Sequence, residues 1–368
     1  MSASSRFSVQ SSTGSYDVEI ATGLYRQFMQ QSTKLTAICD ERFEADFKQA
    51  GVPAIALRSE ETVKSLDAIP DVITKLRKAG TMRDTLLLAV GGGIVQDVSA
   101  FCAAIYMRGL SWMYMPTTLL GMADSCIGGK SSINVGEYKN IVGTFNPPRR
   151  VVIDPSFVKT LSPEQIAAGM IEAAKICYCR GTDSWNAYLA NNPSASMTED
   201  GFAGVVATSL AAKKWFIETD EFDKGERLLL NFGHTFGHAL EGASHYRVSH
   251  GIAVGVGMLC ALELEQRLGT NYTSQPQVAV MRSHIEELLA LVADLPAALE
   301  GVTAPDLFDR FSSDKKHKSD GYRVVVVAPN GGVILKALPK NDESRTQLTA
   351  AMETVLTALR KKQNRVAA

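Results

Sequence analysis

The chain has 368 residues, enough for two domains or one large one with a sizeable buried core. Its 38 Lys and Arg against 39 Asp and Glu leave a formal charge of −1, which argues against a nucleic-acid binder. With 45% apolar and 21% charged residues it reads as an ordinary globular chain, not a disordered one. No stretch approaches the ~18 uninterrupted apolar residues of a membrane span. The greasiest windows, Leu86–Val95 and Leu110–Leu120, are broken by Gly, Ser or Pro, so no membrane association is expected. The start, MSASSRFSVQSSTGS, lacks the apolar core of a secretory signal. Six cysteines (Cys39, Cys102, Cys126, Cys177, Cys179, Cys260) lie mostly in apolar segments without a CxxC pair. They are expected to be reduced, buried thiols of a cytoplasmic protein.

In chain order, Arg6–Gln10 and Tyr16–Ile20, joined by Ser, Thr and Gly, predict an N-terminal hairpin. Short apolar or β-branched runs follow at Lys34–Cys39, Pro53–Leu57, Thr85–Val90, Trp112–Met115 and Val151–Asp154. Helical patterns at Ala68–Ala79 and Ile94–Met107 separate some of them, so a mostly parallel sheet covered by helices is expected. After Pro155 the texture changes, and Pro163 to about Ala298 is rich in Ala, Leu, Glu and Met at helical spacing. One more β pair, Arg323–Ala328 and Val333–Ala337, is joined by the turn PNGG. The tail Thr346–Ala368 reads as a helix ending in the solvated basic run RKKQNR. The reading is an α/β domain over 1–155 and a mainly helical domain over 156–368.

Three features carry chemistry. Val90-Gly91-Gly92-Gly93 closes an apolar strand and opens a helix, where backbone N–H groups can meet a pyrophosphate. It is not the GxGxxG of the first strand; the acidic candidate for ribose hydroxyls lies upstream, at Asp40. A polar knot follows: Thr117, Thr118, Asp124, Gly128-Gly129-Lys130, Asn134, Lys139 and Asn140, a density of donors suited to an anionic, hydroxyl-rich substrate. Four of the six histidines, His234, His238, His245 and His250, fall within one 17-residue window. Imidazoles on adjacent helices plus one carboxylate make an open three-ligand metal site, with Glu172 in AAGMIEAAKI a good carboxylate candidate beside Lys175. Spacing leaves open which histidines ligate. Gly233 and Gly237 in NFGHTFGH weaken a surface helix and make sense if something packs closely there. Lys130, Lys139, Lys213 and Arg227 could supply the cations that a phosphate monoester demands.

Together these residues resemble the sugar phosphate cyclases, and within them the 3-dehydroquinate synthases. The resemblance runs from about Glu61 to Lys316: ExxK (Glu61, Lys64), GGGxxxD (Gly91 to Asp97), YMRG (Arg108), PTTLL, DSxxGGK, KN (139–140), GxxExxK, DExxxGxRxxLNFGHTxGHAxE, His250 and DKK (314–316). It implies a Rossmann-like parallel sheet in the N-terminal domain and a mainly α-helical C-terminal domain. Glu172, His234 and His250 match metal ligands, for zinc or cobalt. Asp40, Glu61, Lys64, Gly92, Gly93, Asp97, Thr117, Thr118 and Lys139 match positions around NAD. Asp124, Lys130, Asn140, Lys175, Lys213, Arg227, Asn231 and His238 match substrate contacts, and Lys315 or Lys316 a phosphate contact. Arg108 matches an arginine that reaches the phosphate from the partner subunit, which implies a homodimer.

The implied reaction is cyclisation of 3-deoxy-arabino-heptulosonate 7-phosphate to 3-dehydroquinate with loss of phosphate, NAD being recycled. The chain departs from the family pattern in three places. GGKTGVNHPxGKN appears as GGKSSINVGEYKN, GGGxxGD as GGGIVQD, and the sequence after DKK is His-Lys-Ser-Asp-Gly. Two readings within the family follow: the shikimate-pathway enzyme, or a specialised cyclase making aminodehydroquinate or 2-deoxy-scyllo-inosose. An iron-dependent alcohol or glycerol dehydrogenase is a more distant alternative that would release NADH. A non-catalytic homologue is disfavoured because the motif positions are filled.

Overall fold

The computed structural model describes residues 5–29, 34–314 and 316–361. Lys315, residues 1–4 of the Ser/Thr-rich start and the last residues of the basic tail, 362–368, lie outside them. The chain divides into two compact units, Met1–Leu161 with Ser196–Glu221, and Ser162–Ala195 with Phe222–Ala368. The first unit thus takes back a stretch lying beyond the expected boundary at 155.

In the first unit the elements run β1 (Ser5–Ser11), β2 (Gly14–Ile20), α1 (Leu24–Met29), β3 (Leu35–Asp40), α2 (Glu44–Gln49), β4 (Ala54–Leu57), α3 (Ile69–Lys78), β5 (Leu86–Gly91), α4 (Gly93–Ile105), β6 (Trp112–Pro116), β7 (Lys130–Val135), β8 (Tyr138–Phe145) and β9 (Arg150–Ile153). One sheet holds seven strands in the order β1-β2-β9-β6-β5-β3-β4. Only β1 and β2 pair antiparallel in it; the other pairings are parallel. The expected hairpin is therefore present, at one edge of an otherwise parallel sheet. LTAIC, LLLAV and WMYMP are buried throughout or nearly so, as parallel strands covered on both faces must be. The chain steps from β3 outward to β4, then returns to the other side of β3 with β5. That reversal makes a switch point at β3/β5, where open α/β sheets bind ligands beyond the carboxyl ends of the strands.

A second, two-stranded ribbon of β7 and β8 occupies the region read as a polar knot. Its residues, KSSINV and YKNIVGTF, carry little apolar alternation, so pairing was not legible there. Gly136, in the left-handed region at φ 56°, makes its turn.

The second unit begins with α5 (Pro163–Arg180) and α6 (Thr182–Leu189); α7 (Glu199–Thr219) belongs to the first unit. It continues with α8 (His234–Ala243), α9 (His250–Arg267), α10 (Pro276–Ala290), α11 (Leu295–Ala298), α12 (Ala304–Ser312), the antiparallel pair β10 (Tyr322–Val327) and β11 (Val333–Leu338), and α13 (Asp342–Lys361). Helix α5 starts at a capping box, Ser162 and Gln165 exchanging bonds with each other's backbone, with Pro163 at the first position. It is buried all along Ala167–Cys179, and α9 is almost as fully buried. Helices apolar on every side belong in the centre of a helical unit.

Candidate active site

In the first unit the candidate residues gather at the carboxyl ends of β3, β5 and β6. Asp40 ends β3; its carboxylate accepts from the Arg42 N–H at 3.0 Å and from the Ser59 hydroxyl, closing a short turn. At Gly91, the last residue of β5, a Cβ would sit 2.6 Å from the Val95 side chain. Gly92 lies against Thr118, 3.0 Å from where its Cβ would stand, whereas a Cβ at Gly93 would meet nothing within 4 Å. The first turn of α4 therefore opens onto free space, with N–H groups that have no intrahelical acceptor. Thr117 donates its backbone N–H to the Gly91 carbonyl (3.0 Å), which ties the end of β6 to the glycine-rich turn.

One turn into α4, Asp97 pairs with Lys64 at 2.6 Å and accepts the Ser132 N–H at 3.0 Å. Burial pushes Asp97 upward, and the Lys64 ammonium pulls the other way. Glu61 accepts from Asn134 at 2.8 Å and lies 3.6 Å from Lys139. Asn140 is held at φ 56° on the ribbon, its N–H on the Asn134 side chain and its Oδ1 accepting from Ser132. Asp124 lies on the π-helical turn Gly121–Ser125; Lys213, 6% exposed on α7, pairs with its carboxylate at 2.7 Å and its carbonyl at 2.5 Å. Lys130 begins β7 with its ammonium 6.0 Å from the Phe145 ring centre. Arg108 is exposed on a sharp turn, where it and Met107 both have positive φ.

In the second unit, close backbone approaches set the geometry. A Cβ on Gly257 would stand 2.0 Å from the Gly233 carbonyl oxygen, and one on Gly251 would stand 2.5 Å from the Ala168 carbonyl oxygen. Only glycine lets α9 press against both α8 and α5, and that brings His250, His234 and Glu172 together. Gly233 itself adopts the left-handed conformation at φ 79°. The close packing expected around the NFGHTFGH glycines is thus present.

Glu172 is fully buried and pairs with Lys175 at 2.5 Å. Its Oε1 lies 3.7 Å from His234 Nε2 and 3.4 Å from His250 Nε2. Ligand atoms of His234, His238 and His250 fall within 4.8 Å of one another. Three of the four clustered histidines converge; His245 is exposed in the turn after α8. Burial drives His234 well down, with Lys175 adding to it, and burial also lowers His238, a direction that favours the neutral, ligating imidazole. Burial also pulls on His250, but hydrogen bonds with Glu172 and Glu241 outweigh it and hold that ring up at about 10. The donor set fits a divalent cation, which would replace that proton as the positive charge shared by the carboxylates. Lys316 reaches His238 Nδ1 at 3.2 Å and Asp314 at 3.3 Å. Arg227 is 5% exposed and Asn231 bonds back to the Leu228 carbonyl, both on the turn Glu226–Asn231 that leads into α8.

The chain matches the family models for the N-terminal and C-terminal parts of 3-dehydroquinate synthase over residues 54–168 and 169–317. It belongs to the 3-dehydroquinate synthase family. It is 32% identical to the 3-dehydroquinate synthase of Campylobacter concisus (strain 13826) over 308 residues, 83% of each chain. It is 35% identical to that of Xylella fastidiosa (strain M23) over 301 residues, 78% of each. Among solved structures, a 2-deoxy-scyllo-inosose synthase complexed with carbaglucose-6-phosphate, NAD+ and Co2+ matches with a TM-score of 0.82 at 21% identity, over 95% of this chain and 100% of that one. The 2-epi-5-epi-valiolone synthase of Streptomyces hygroscopicus subsp. jinggangensis 5008, with NAD+ and Zn2+ bound, matches at 0.77 and 21%, over 93% and 97%. The fold is that of these cyclases: a parallel-dominated α/β sheet followed by a mostly helical region.

Sequence reasoning missed Ser132 as a bonding partner of Asn140 and Gln96 as one of Ser125, the neighbour of Asp124, and it left Glu241 and Asp314 as motif letters without a role. Glu241 had one signal, its place one helical turn beyond His238; it contacts His250 Nδ1 at 3.2 Å.

Proposed function

We propose that the chain is a carbon–oxygen lyase that cyclises 3-deoxy-arabino-heptulosonate 7-phosphate to 3-dehydroquinate with release of phosphate. The observation that carries this reading is the convergence of Glu172 Oε1 with His234 and His250 Nε2, beside Lys175 and within the matched family. When bound, NAD supplies a reversible hydride acceptor, and zinc or cobalt a Lewis acid for vicinal hydroxyls. The NAD+, Co2+ and Zn2+ of the two solved neighbours support these cofactors.

The chain's own residues then divide the work. Glu172, His234 and His250 hold the metal. Glu241 fixes the His250 ring from its other nitrogen, as a carboxylate behind a ligating histidine does. Asp40, Gly92, Gly93, Thr117 and Thr118 line the dinucleotide at the carboxyl ends of the strands, and Glu61, Lys64, Asp97 and Lys139 hold the adjoining ion pairs. Arg227 takes the substrate carboxylate, with Asn231 on the same turn. Lys130, Asn140, Asp124, Lys213, Lys175 and His238 orient hydroxyls and phosphate, and Lys316 reaches phosphate from beside His238. Arg108 serves the partner subunit in a homodimer.

Six buried, unpaired cysteines suit the cytoplasm, and no helix among the described residues is long and apolar enough to cross a membrane. The test is purified protein with NAD, a divalent metal and the heptulosonate phosphate: phosphate appears while NADH does not accumulate. Stoichiometric NADH would instead indicate a dehydrogenase.

A further inference from the structure

At two positions where the family motif has glycine, this chain carries side chains that bond to a candidate site residue of the first unit, Ser132 to Asn140, or to the immediate neighbour of one, Gln96 to Ser125 beside Asp124. Gln96 is 5% exposed in the first turn of α4. Its Nε2 donates to the Ser125 carbonyl at 2.6 Å, and its Oε1 accepts the Ser125 hydroxyl at 2.5 Å. Both polar ends of the amide are thus satisfied by one residue, the neighbour of Asp124. The same turn, Gly121–Ser125, is fastened from the other side by α7, through Lys213 and through the Ser209 hydroxyl on the Ala123 carbonyl at 2.8 Å.

Ser132, on β7, does the equivalent for the ribbon. Its N–H donates to Asp97 Oδ1 at 3.0 Å, and its hydroxyl donates to Asn140 Oδ1 at 2.8 Å, with Asp97 Oδ2 3.4 Å away. The two clasps meet on consecutive residues of α4, Gln96 and Asp97. A glycine at 132 would keep the N–H bond to Asp97, but the Gln96 amide bonds to Ser125 and the Ser132 hydroxyl bond to Asn140 need these side chains.

We propose that Gln96 and Ser132 are positioning residues that lock the Asp124–Lys213 pair and Asn140 to the glycine-rich start of α4. Neither touches substrate; each limits the freedom of a group that does. The proposal rests on the cyclase reading for the roles of Asp124, Lys213 and Asn140. Its physical basis is reach. Losing a buried bidentate amide frees a turn whose carboxylate must be placed within a few tenths of an ångström, and small misplacements of positioned groups cost rate steeply.

The experiment compares Gln96→Ala, Ser132→Ala and the double variant with the wild type, using steady-state kinetics with the heptulosonate phosphate and amide hydrogen exchange of the NAD-loaded protein. Each single variant is expected to lower kcat about 3- to 30-fold with KM changed less than about threefold, because orientation rather than affinity is lost. Exchange should quicken over 121–126 in Gln96→Ala and over 138–142 in Ser132→Ala, each variant leaving the other segment and the second unit unchanged. Ser132→Thr, which keeps the hydroxyl, should recover most of the lost kcat.

Local exchange changes with wild-type kinetics would overturn the positioning role. So would faster exchange throughout the unit, which would mark the two residues as general stabilisers. If the wild type fails to release phosphate at all, the cyclase reading falls instead, and the segment-specific exchange still decides whether the brace exists.

Discussion

On the proposed reading Arg227 takes the substrate carboxylate, and the effect of its replacement by alanine can be sized from its surroundings. A surface bridge to Glu221 or Glu226 would be worth under about 1 kcal/mol, and its loss would barely register. Arg227 is instead 5% exposed, on the turn that delivers Asn231 and then His234, so it lacks the open solvent that makes such a bridge cheap to lose. A guanidinium in such a place that receives a carboxylate makes charge-assisted, bidentate bonds. Stripping it leaves the anion facing a gap, a loss of about 2–4 kcal/mol, or about 30- to 1000-fold in kcat/KM. Arg227→Lys restores charge but not the planar fork, and should recover only part of the activity. The assay is phosphate release against heptulosonate phosphate concentration, with the melting temperature of each variant measured beside it to separate misfolding from lost recognition. An alanine variant within threefold of wild type, folded normally, would remove the carboxylate role and bring forward the cyclases that act on sugar phosphates lacking a carboxylate.

Other outcomes follow from the same geometry. Glu241→Gln should weaken zinc binding about 10- to 100-fold in a chelator competition, because the carboxylate behind His250 is lost; unchanged affinity would deny it that role. Lys213→Ala strands Asp124 beside a part-buried gap and should cost about 3 kcal/mol of stability in urea, with Asp124→Asn in the same chain returning part of it; equal stability of the single variant and wild type would refute the pairing. Removing metal with a chelator should lower the melting temperature and abolish turnover, with zinc or cobalt restoring both. Burial holds Cys39, Cys102, Cys126 and Cys179 up at about 12, so a thiol reagent at pH 8 should leave the native protein unmodified and react with six thiols only after unfolding.

What could be read from the chain alone follows the kind of signal involved. Parallel strands buried on both faces announce themselves as apolar runs, so β3, β5, β6 and β9 were legible nearly to their ends. The ribbon β7–β8 was not, since its residues are chosen for bonds to Asp97 and Glu61 rather than for a core. The glycines of α8 and α9 were readable as close contacts, but not that Ala168 and the Gly233 carbonyl were the surfaces approached. Return of α7 to the first unit had no local signal, because a helix buried on Phe202, Val206 and Leu210 has the same composition whichever unit it joins. Hydrogen bonds between polar side chains far apart in sequence, such as Gln96 with Ser125, have no periodicity to betray them.

The buried charges connect these observations to chemistry. Lys175, Lys213 and Arg227 are 2%, 6% and 5% exposed, and an ion in such a place costs several kcal/mol unless a partner is close. For the two lysines the partner is itself a site residue, Glu172 or Asp124. Each pair thus offsets part of its own desolvation, and each lysine ammonium carries three donors. On the proposed reading, phosphate and hydroxyl oxygens of the substrate would bond to these ammonium groups without displacing the carboxylate. Within its own unit each pair balances its buried ion, and on the proposed reading a substrate oxygen would add directed bonds rather than bare charge. That is why substitution of either lysine by a neutral residue should be felt in folding as well as in turnover, whereas Gln96→Ala and Ser132→Ala should be felt in turnover first.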